Sequence, residues 1–272
     1  MRARQAWSAF AAVVVLAGAC GSGDGENGDG PLADAAENAP DDGGFELSVR
    51  FLAQTGDLAA FEGGGFTADG RWDGDDVVLD GGLDLAPAGA ELTPAQEQAY
   101  RSDLEARLVG EALYVRSPAF GEEFVSADVP QLDPATAVAP GGATDGSGLW
   151  QPVDLLPLLA EATDVTELDR VDLDGTVATR LRAQVEGDLD AARAAVGLDP
   201  DGDGVAPVDA FVDEDGSVVR IEADVDGAFL IAQVVGPDVS APATLRIDFV
   251  DPDDGAIEAP EGARDVTAAL TG

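Results

Sequence analysis

The sequence predicts an α+β domain in which one antiparallel sheet dominates and few helices accompany it. Three observations carry that reading. Apolar residues recur at every second position in segment after segment, most of these segments are joined by turns too short for a crossover helix, and two segments switch to helical spacing. Phe45, Leu47, Val49 and Phe51 alternate with Glu46, Ser48 and Arg50, the period of a half-buried strand. Shorter strands follow between 65 and 85. Residues 104–109 and 112–116 flank Gly110-Glu111 as a tight hairpin. Residues 153–162 (VDLLPLLAEA) place Leu155, Leu156, Leu158 and Leu159 on one helical face, with Pro157 in the first turn or as a kink. A strand over 177–185 precedes a second helix over 187–196, with Asp188 as N-cap. Residues 208–212 turn through Asp213-Glu214-Asp215-Gly216 into 217–225, and strands over 228–235 and 245–250 complete the set.

Composition removes much chemistry. The chain has 272 residues, 54 Asp+Glu, no His, one Cys, and 14 cations that are all Arg, for a net charge of −40. It therefore cannot build a His-dependent nucleophile or zinc site, a Cys-rich cluster, a lysine Schiff base or a lysine phosphate loop. So acidic a chain repels nucleic acid. With 45% hydrophobic residues it still has enough apolar surface for a core, although aromatics are only 6% and aliphatic residues must do most of the packing. The acidity fits adaptation to salt, which screens self-repulsion.

Residues 1–19 have the three parts of an export signal: Arg2 and Arg4, an apolar stretch over 6–16, and the small residues Ala17, Gly18 and Ala19. The stretch is shorter than the roughly 20 apolar residues that span a bilayer. Cys20 follows, the only cysteine, and Leu16-Ala17-Gly18-Ala19-Cys20 resembles the lipobox of bacterial lipoproteins. That resemblance implies cleavage before Cys20, its acylation, and a lipid anchor on the extracytoplasmic face of the cell membrane. Two or more acyl chains suffice for stable attachment without help from the polyanionic body. Residues 20–44 read as the acylated Cys and a disordered acidic tether, and 45–270 as the folded domain.

The order of motifs in that domain resembles the LppX/LprAFG family of actinobacterial lipoproteins, distant relatives of the LolA/LolB carriers. The residues that carry it are 107–118 (RLVGEALYVRSP), Trp150 followed by 153–159 (VDLLPLL), 171–176 (VDLDGT) with 179–185 (TRLRAQV), and 211–220 (FVDEDGSVVR). Phe211 stands where the family has Trp, and the glycines at 63–65 and 81–82 depart from its pattern. The resemblance implies a strongly curved sheet, a half-barrel, with helices across its concave side. Between them would lie an apolar cavity that takes acyl chains of lipids or glycolipids, with a transporter among the partners of such a carrier. Shape and dryness are all this binding needs, so the absence of His, Lys and catalytic Cys is no obstacle and no enzyme activity is expected.

The candidate lining residues are Leu47, Val49, Phe51, Leu181, Val185, Val219, Ile221, Phe229, Ile231, Ile247 and Phe249, with Leu155, Leu156 and Leu159 from the covering helix. The alternative is that they pack on one another as a dry core. Asp199, Asp201 and Asp203 in DPDGDG have the alternation of a calcium loop, but Ala210 stands where a bidentate Glu is required, and in a chain with 54 acids such a run can arise as a solvated turn. An acidic, calcium-dependent binding or sensor module is thus the second functional class. Paired-carboxylate catalysis would need sugar platforms, and Trp72 beside Asp73 and Asp75 is the one local cluster of that kind.

Overall fold

The computed structural model describes residues 31–37, 40–52, 61–86, 91–118, 120–121, 123–129, 155–160, 162–186, 205–226, 241–251 and 255–270. Twelve strands form one open sheet. They are β1 (Asp42–Phe51), β2 (Gly65–Asp73), β3 (Asp76–Asp84), β4 (Arg101–Val109), β5 (Ala112–Arg116), β6 (Val125–Asp128), β7 (Thr163–Leu173), β8 (Thr176–Glu186), β9 (Val205–Asp213), β10 (Val218–Asp226), β11 (Pro242–Val250) and β12 (Arg264–Asp265). Their spatial order is β12-β6-β5-β4-β3-β2-β1-β11-β10-β9-β8-β7. Every pairing is antiparallel except β12 on β6. The two edges are the short β12 and the long β7, so the sheet does not close.

Among the described residues four short helices accompany it: α1 (Pro31–Glu37), α2 (Pro94–Tyr100), α3 (Leu155–Ala160) and α4 (Thr267–Leu270). Helix α2 starts with a capping box, in which Thr93 Oγ1 accepts from the Gln96 amide and Gln96 Oε1 accepts from the Thr93 amide. Helices α1 and α3 pack on each other, and α3 touches β8. Leu32, Leu156 and Leu159 are buried in the same cluster as one face of the sheet.

Several elements differ from the sequence reading. The tether expected through residue 44 is interrupted by α1, whose Leu32, Ala33 and Ala35 are buried. One leucine among alanines is enough apolar surface for a short helix that packs on another. Strand β1 begins at Asp42 because Gly43 pairs opposite Trp72 and leaves room for its ring. The sequence reading does not include α2, α4, β6, β7 or β12. Strand β7 (TDVTELDRVDL) is charged, exposed along most of its length and bulged twice, so it lacks the alternation a buried face imposes. The expected helix over 187–196 and strand over 228–235 lie outside the described residues.

Two glycines are required by the packing of aromatics on the sheet. A Cβ on Gly43 would overlap the Trp72 ring, and one on Gly70 would overlap Phe45. Phe45 stacks on Trp72 with centroids 6.2 Å apart, and Trp72 meets Phe249 edge-on at 6.0 Å. Trp72 Nε1 also donates to the Pro40 carbonyl at 3.4 Å.

The other face is charged. One cross-strand row contains Asp248, Glu46, Asp69, Asp80 and Glu105, each directly opposite the next. Arginines meet the two ends of the row, Arg220 at Asp248 and Arg116 at Glu105. Glu46, Asp69 and Asp80 have no ion-pair partner among the described residues. On the same face Arg71 donates to the Ala256 carbonyl at 2.9 Å and Arg107 to the Glu258 carbonyl at 2.9 Å, which holds the C-terminal segment against the sheet.

Two predictions follow from this packing. In urea denaturation, Gly70→Ala should lose about 1–3 kcal/mol by overpacking against Phe45. Gly82→Ala, whose new Cβ would meet nothing closer than 3.6 Å, should be neutral or slightly stabilising. Asp69→Asn should raise the low-salt melting temperature by relieving like-charge pairs worth about 0.2–1 kcal/mol each. The gain should shrink towards 1 M salt, where the Debye length is about 3 Å.

Candidate functional site: the apolar face of the sheet

Strand register brings the apolar positions onto one face in continuous rows. The central row runs Leu181–Ala210–Ile221–Ile247–Leu47–Ala68–Gly81–Leu104, each residue the cross-strand partner of the next. A second row runs Ala183–Val208–Ala223–Leu245–Val49–Phe66–Leu83. A third runs Phe249–Phe45–Gly70–Leu79–Ala106–Val115–Val125. Large and small side chains are interspersed along all three. The Ala and Gly positions carry less side chain than their neighbours, and Ala68, Ala183, Ala210 and Ala223 are buried.

Leu47, Val49, Phe51, Leu181, Val185, Ile221 and Ile247 are buried on this face, and Leu156 and Leu159 of α3 are buried in the same cluster. Phe249 is half-buried. Val219 is half-buried and Val218 is buried, because a bulge between Val218 and Arg220 shifts the alternation by one residue. Phe229, Ile231 and the Leu155 side chain lie outside the described residues, as do Cys20, Asp199, Asp201 and Asp203. Sequence reasoning missed the contribution of β2 to β6: Phe66, Leu79, Leu104, Leu113 and Val115 belong to the same cluster. Alternation was visible there at Leu113 and Val115. In β2 and β3 it was diluted by Ala68, Gly70 and Gly81, which occupy inward positions without looking apolar.

The opposite face has chemistry of its own, built from arginines. Asp209 is bound by Arg182, with Nε–Oδ1 and Nη2–Oδ2 both 2.8 Å, and by Arg180. Asp248 is bound by Arg220 and by Arg246, whose Nε–Oδ2 distance is 2.5 Å. Glu105 is bound by Arg107 at 2.7 Å and by Arg116. Two aromatics complete these clusters. Phe211 lies between Arg180 and Arg220, at 5.8 and 5.7 Å from its centroid, and Phe124 lies between Arg107 and Arg116, at 5.4 and 5.0 Å. Phe211, the position where the resembled family has Trp, therefore packs among guanidinium groups on the charged face. Burial works to raise the Asp209 carboxyl, and the hydrogen bonds from Arg182 and Arg180 outweigh it, so the group titrates below the ordinary carboxylate range.

A cleft of about 680 Å³ opens at Asp80, Asp103, Leu104, Glu105, Arg116 and Ser117. Its three carboxylates suit it poorly to an acyl chain. Among the described residues no three His, Cys, Asp or Glu side chains are grouped to hold a metal, and no helix is long and apolar enough to cross a membrane.

No protein-family model matches the chain, and no curated protein matches it. Among solved structures it is similar to the lipoprotein LppX of Mycobacterium tuberculosis, at 11% identity and a TM-score of 0.44 over 84% of this chain and 98% of that one. It is also similar to LprF of Mycobacterium bovis, at 12% identity and a TM-score of 0.44 over 85% of this chain and 96% of that one. A LolA-superfamily protein of Nitrosomonas europaea matches at 10% identity and a TM-score of 0.28, over 85% of this chain and 96% of that one.

The Asp209 cluster generates a pH prediction. Its folded carboxyl titrates below the unfolded one, so its contribution is present above the unfolded value of about 4 and is lost as pH falls through the folded value. Asp209→Asn should cost about 1–3 kcal/mol at pH 7 in chemical denaturation. The deficit relative to wild type should close progressively below about pH 4. A pH-independent deficit would assign the cost to packing instead.

Proposed function

We propose that the protein is an envelope lipoprotein, anchored through acylated Cys20 outside the cell membrane, that holds acyl chains of lipids or glycolipids against the apolar face of its sheet and carries or presents them. The observation that carries this reading is the continuous apolar face, in which small residues stand among large ones. Its central row sets Ile221, Ile247 and Leu47 between Ala210 on one side and Ala68 and Gly81 on the other, and we read those small positions as a furrow that takes a filler, because interiors are packed to crystalline density. The short helices α1 and α3 supply apolar side chains to part of it. An acyl chain supplies the rest, with each buried methylene contributing about 0.8 kcal/mol before the cost of ordering the chain.

On this reading the sheet is bent into a half-barrel, and α1 and α3 cover its concave side. No catalytic residue takes part. The lipobox at Cys20 supports the membrane location, and the four sequence motifs support the carrier role. A transporter that delivers or removes the lipid is the natural partner.

Filling the furrow tests the proposal. Ala210→Leu should reduce binding of a pyrene-labelled diacylglycerol at least tenfold, a change of about 1.4 kcal/mol. Its melting temperature should stay equal to or above that of wild type. A dry core gives the opposite pattern: overpacking would destabilise the variant by about 1–3 kcal/mol, and the probe would bind neither protein.

A further inference from the structure

The apolar face is not equally sealed along its perimeter. At the β12 end, Leu113, Val115, Val125 and Ala127 are fully covered. At the other side, among the described residues, it is exposed at a corner where the tips of the β7–β8 and β9–β10 hairpins lie together. Val177, Thr179 and Leu181 alternate onto the inward face of β8. Val177 at the tip is 42% exposed, whereas Val212 and Val218, paired on β9 and β10, are 8% exposed and Ile221 deeper on the same face is 1% exposed. Three of the exposed large apolar residues, Val165, Leu168 and Val177, belong to this one hairpin.

The rim of the corner is acidic. Asp172 is the cross-strand partner of Val177, Asp174 forms the β7–β8 turn, and Glu214 and Asp215 form the β9–β10 turn. Among the described residues two cations reach this rim: Arg170, the partner of Thr179 on the inward face, engaged by Glu214 at 3.4 Å, and Arg246, which attracts Asp174 while bound to Asp248. The Arg170–Glu214 pair bridges the two hairpins.

From this geometry we infer that the β7–β8/β9–β10 corner is the mouth through which the ligand reaches the apolar face, and that its rim selects lipids with uncharged head groups. The inference rests on the lipid-binding reading above and adds its route and its substrate class. An acyl chain finds a graded apolar path over Val177 to Val212 and Val218. A phosphate or carboxylate head group in the same position would meet Asp172, Asp174, Glu214 and Asp215, against Arg170 already paired with Glu214 and Arg246 already paired with Asp248. A hydroxyl or sugar head group meets hydrogen-bond acceptors and no repulsion.

The test uses the mature full-length protein and two probes with the same pyrene-labelled acyl chains, a diacylglycerol and a phosphatidic acid, offered from phosphatidylcholine vesicles. The expected result is uptake of diacylglycerol at least about tenfold faster than phosphatidic acid at low salt, with the gap narrowing as salt screens the rim. Val177→Asp should slow diacylglycerol uptake without moving the melting temperature, since the residue is exposed. Glu214→Gln, which frees Arg170, should speed phosphatidic acid uptake selectively. Diacylglycerol uptake unaffected by Val177→Asp, or equal low-salt uptake of the two probes, would overturn the mouth while leaving lipid binding intact. A wild type that takes up neither probe overturns both readings.

Discussion

The constraint on which this structure depends is the one-sidedness of its sheet. Side chains alternate strictly along a strand, so a sheet that gives one face to Leu, Val, Ile, Phe and Ala must give the other to whatever remains. Here that remainder is mostly Asp, Glu, Arg and Thr, with Phe211 among the arginines. The register leaves no freedom to mix them: Leu47 opposite Ile247 and Ala68 requires Glu46 opposite Asp248 and Asp69. The apolar rows and the row of carboxylates are thus a single arrangement seen from two sides.

The charged face shows how a chain with no lysine and few cations keeps such an arrangement together. Its arginines are concentrated where two of them can share one carboxylate, at Asp209, Asp248 and Glu105, and they also lie over the rings of Phe211 and Phe124. A planar fork with several donors can do this, and an ammonium group could not. Between these clusters Glu46, Asp69 and Asp80 have no arginine partner among the described residues. A surface of this kind is stable where salt screens it.

Much of this was legible in the sequence. Strands β1, β5, β8, β10 and β11 were visible because large aliphatic or aromatic residues occupy most of their inward positions, and the β4–β5 and β9–β10 hairpins were marked by Gly110 and by Asp213 to Gly216. The remainder was hidden for identifiable reasons. A bulge exchanges Val218 for Val219 on the apolar face, and periodicity cannot reveal a one-residue shift. Gly70 and Gly81 look like breaks in a strand, yet Gly70 makes room for Phe45 and Gly81 for Ala68. Strand β7 buries little on either side, and so carries no alternation to read. Helix α1 reads as tether in the sequence because a short, alanine-rich helix has little periodicity of its own, and its burial comes from packing on the distant α3.

The proposed function adds one claim to this physics, that the apolar face is completed by a guest. Native mass spectrometry of the protein extracted from its own membranes tests that claim most directly. The account predicts a population heavier than the acylated chain by the mass of an acyl lipid, which is lost on organic extraction. A single mass equal to that of the acylated chain, from protein that has never met a competing detergent, would contradict it.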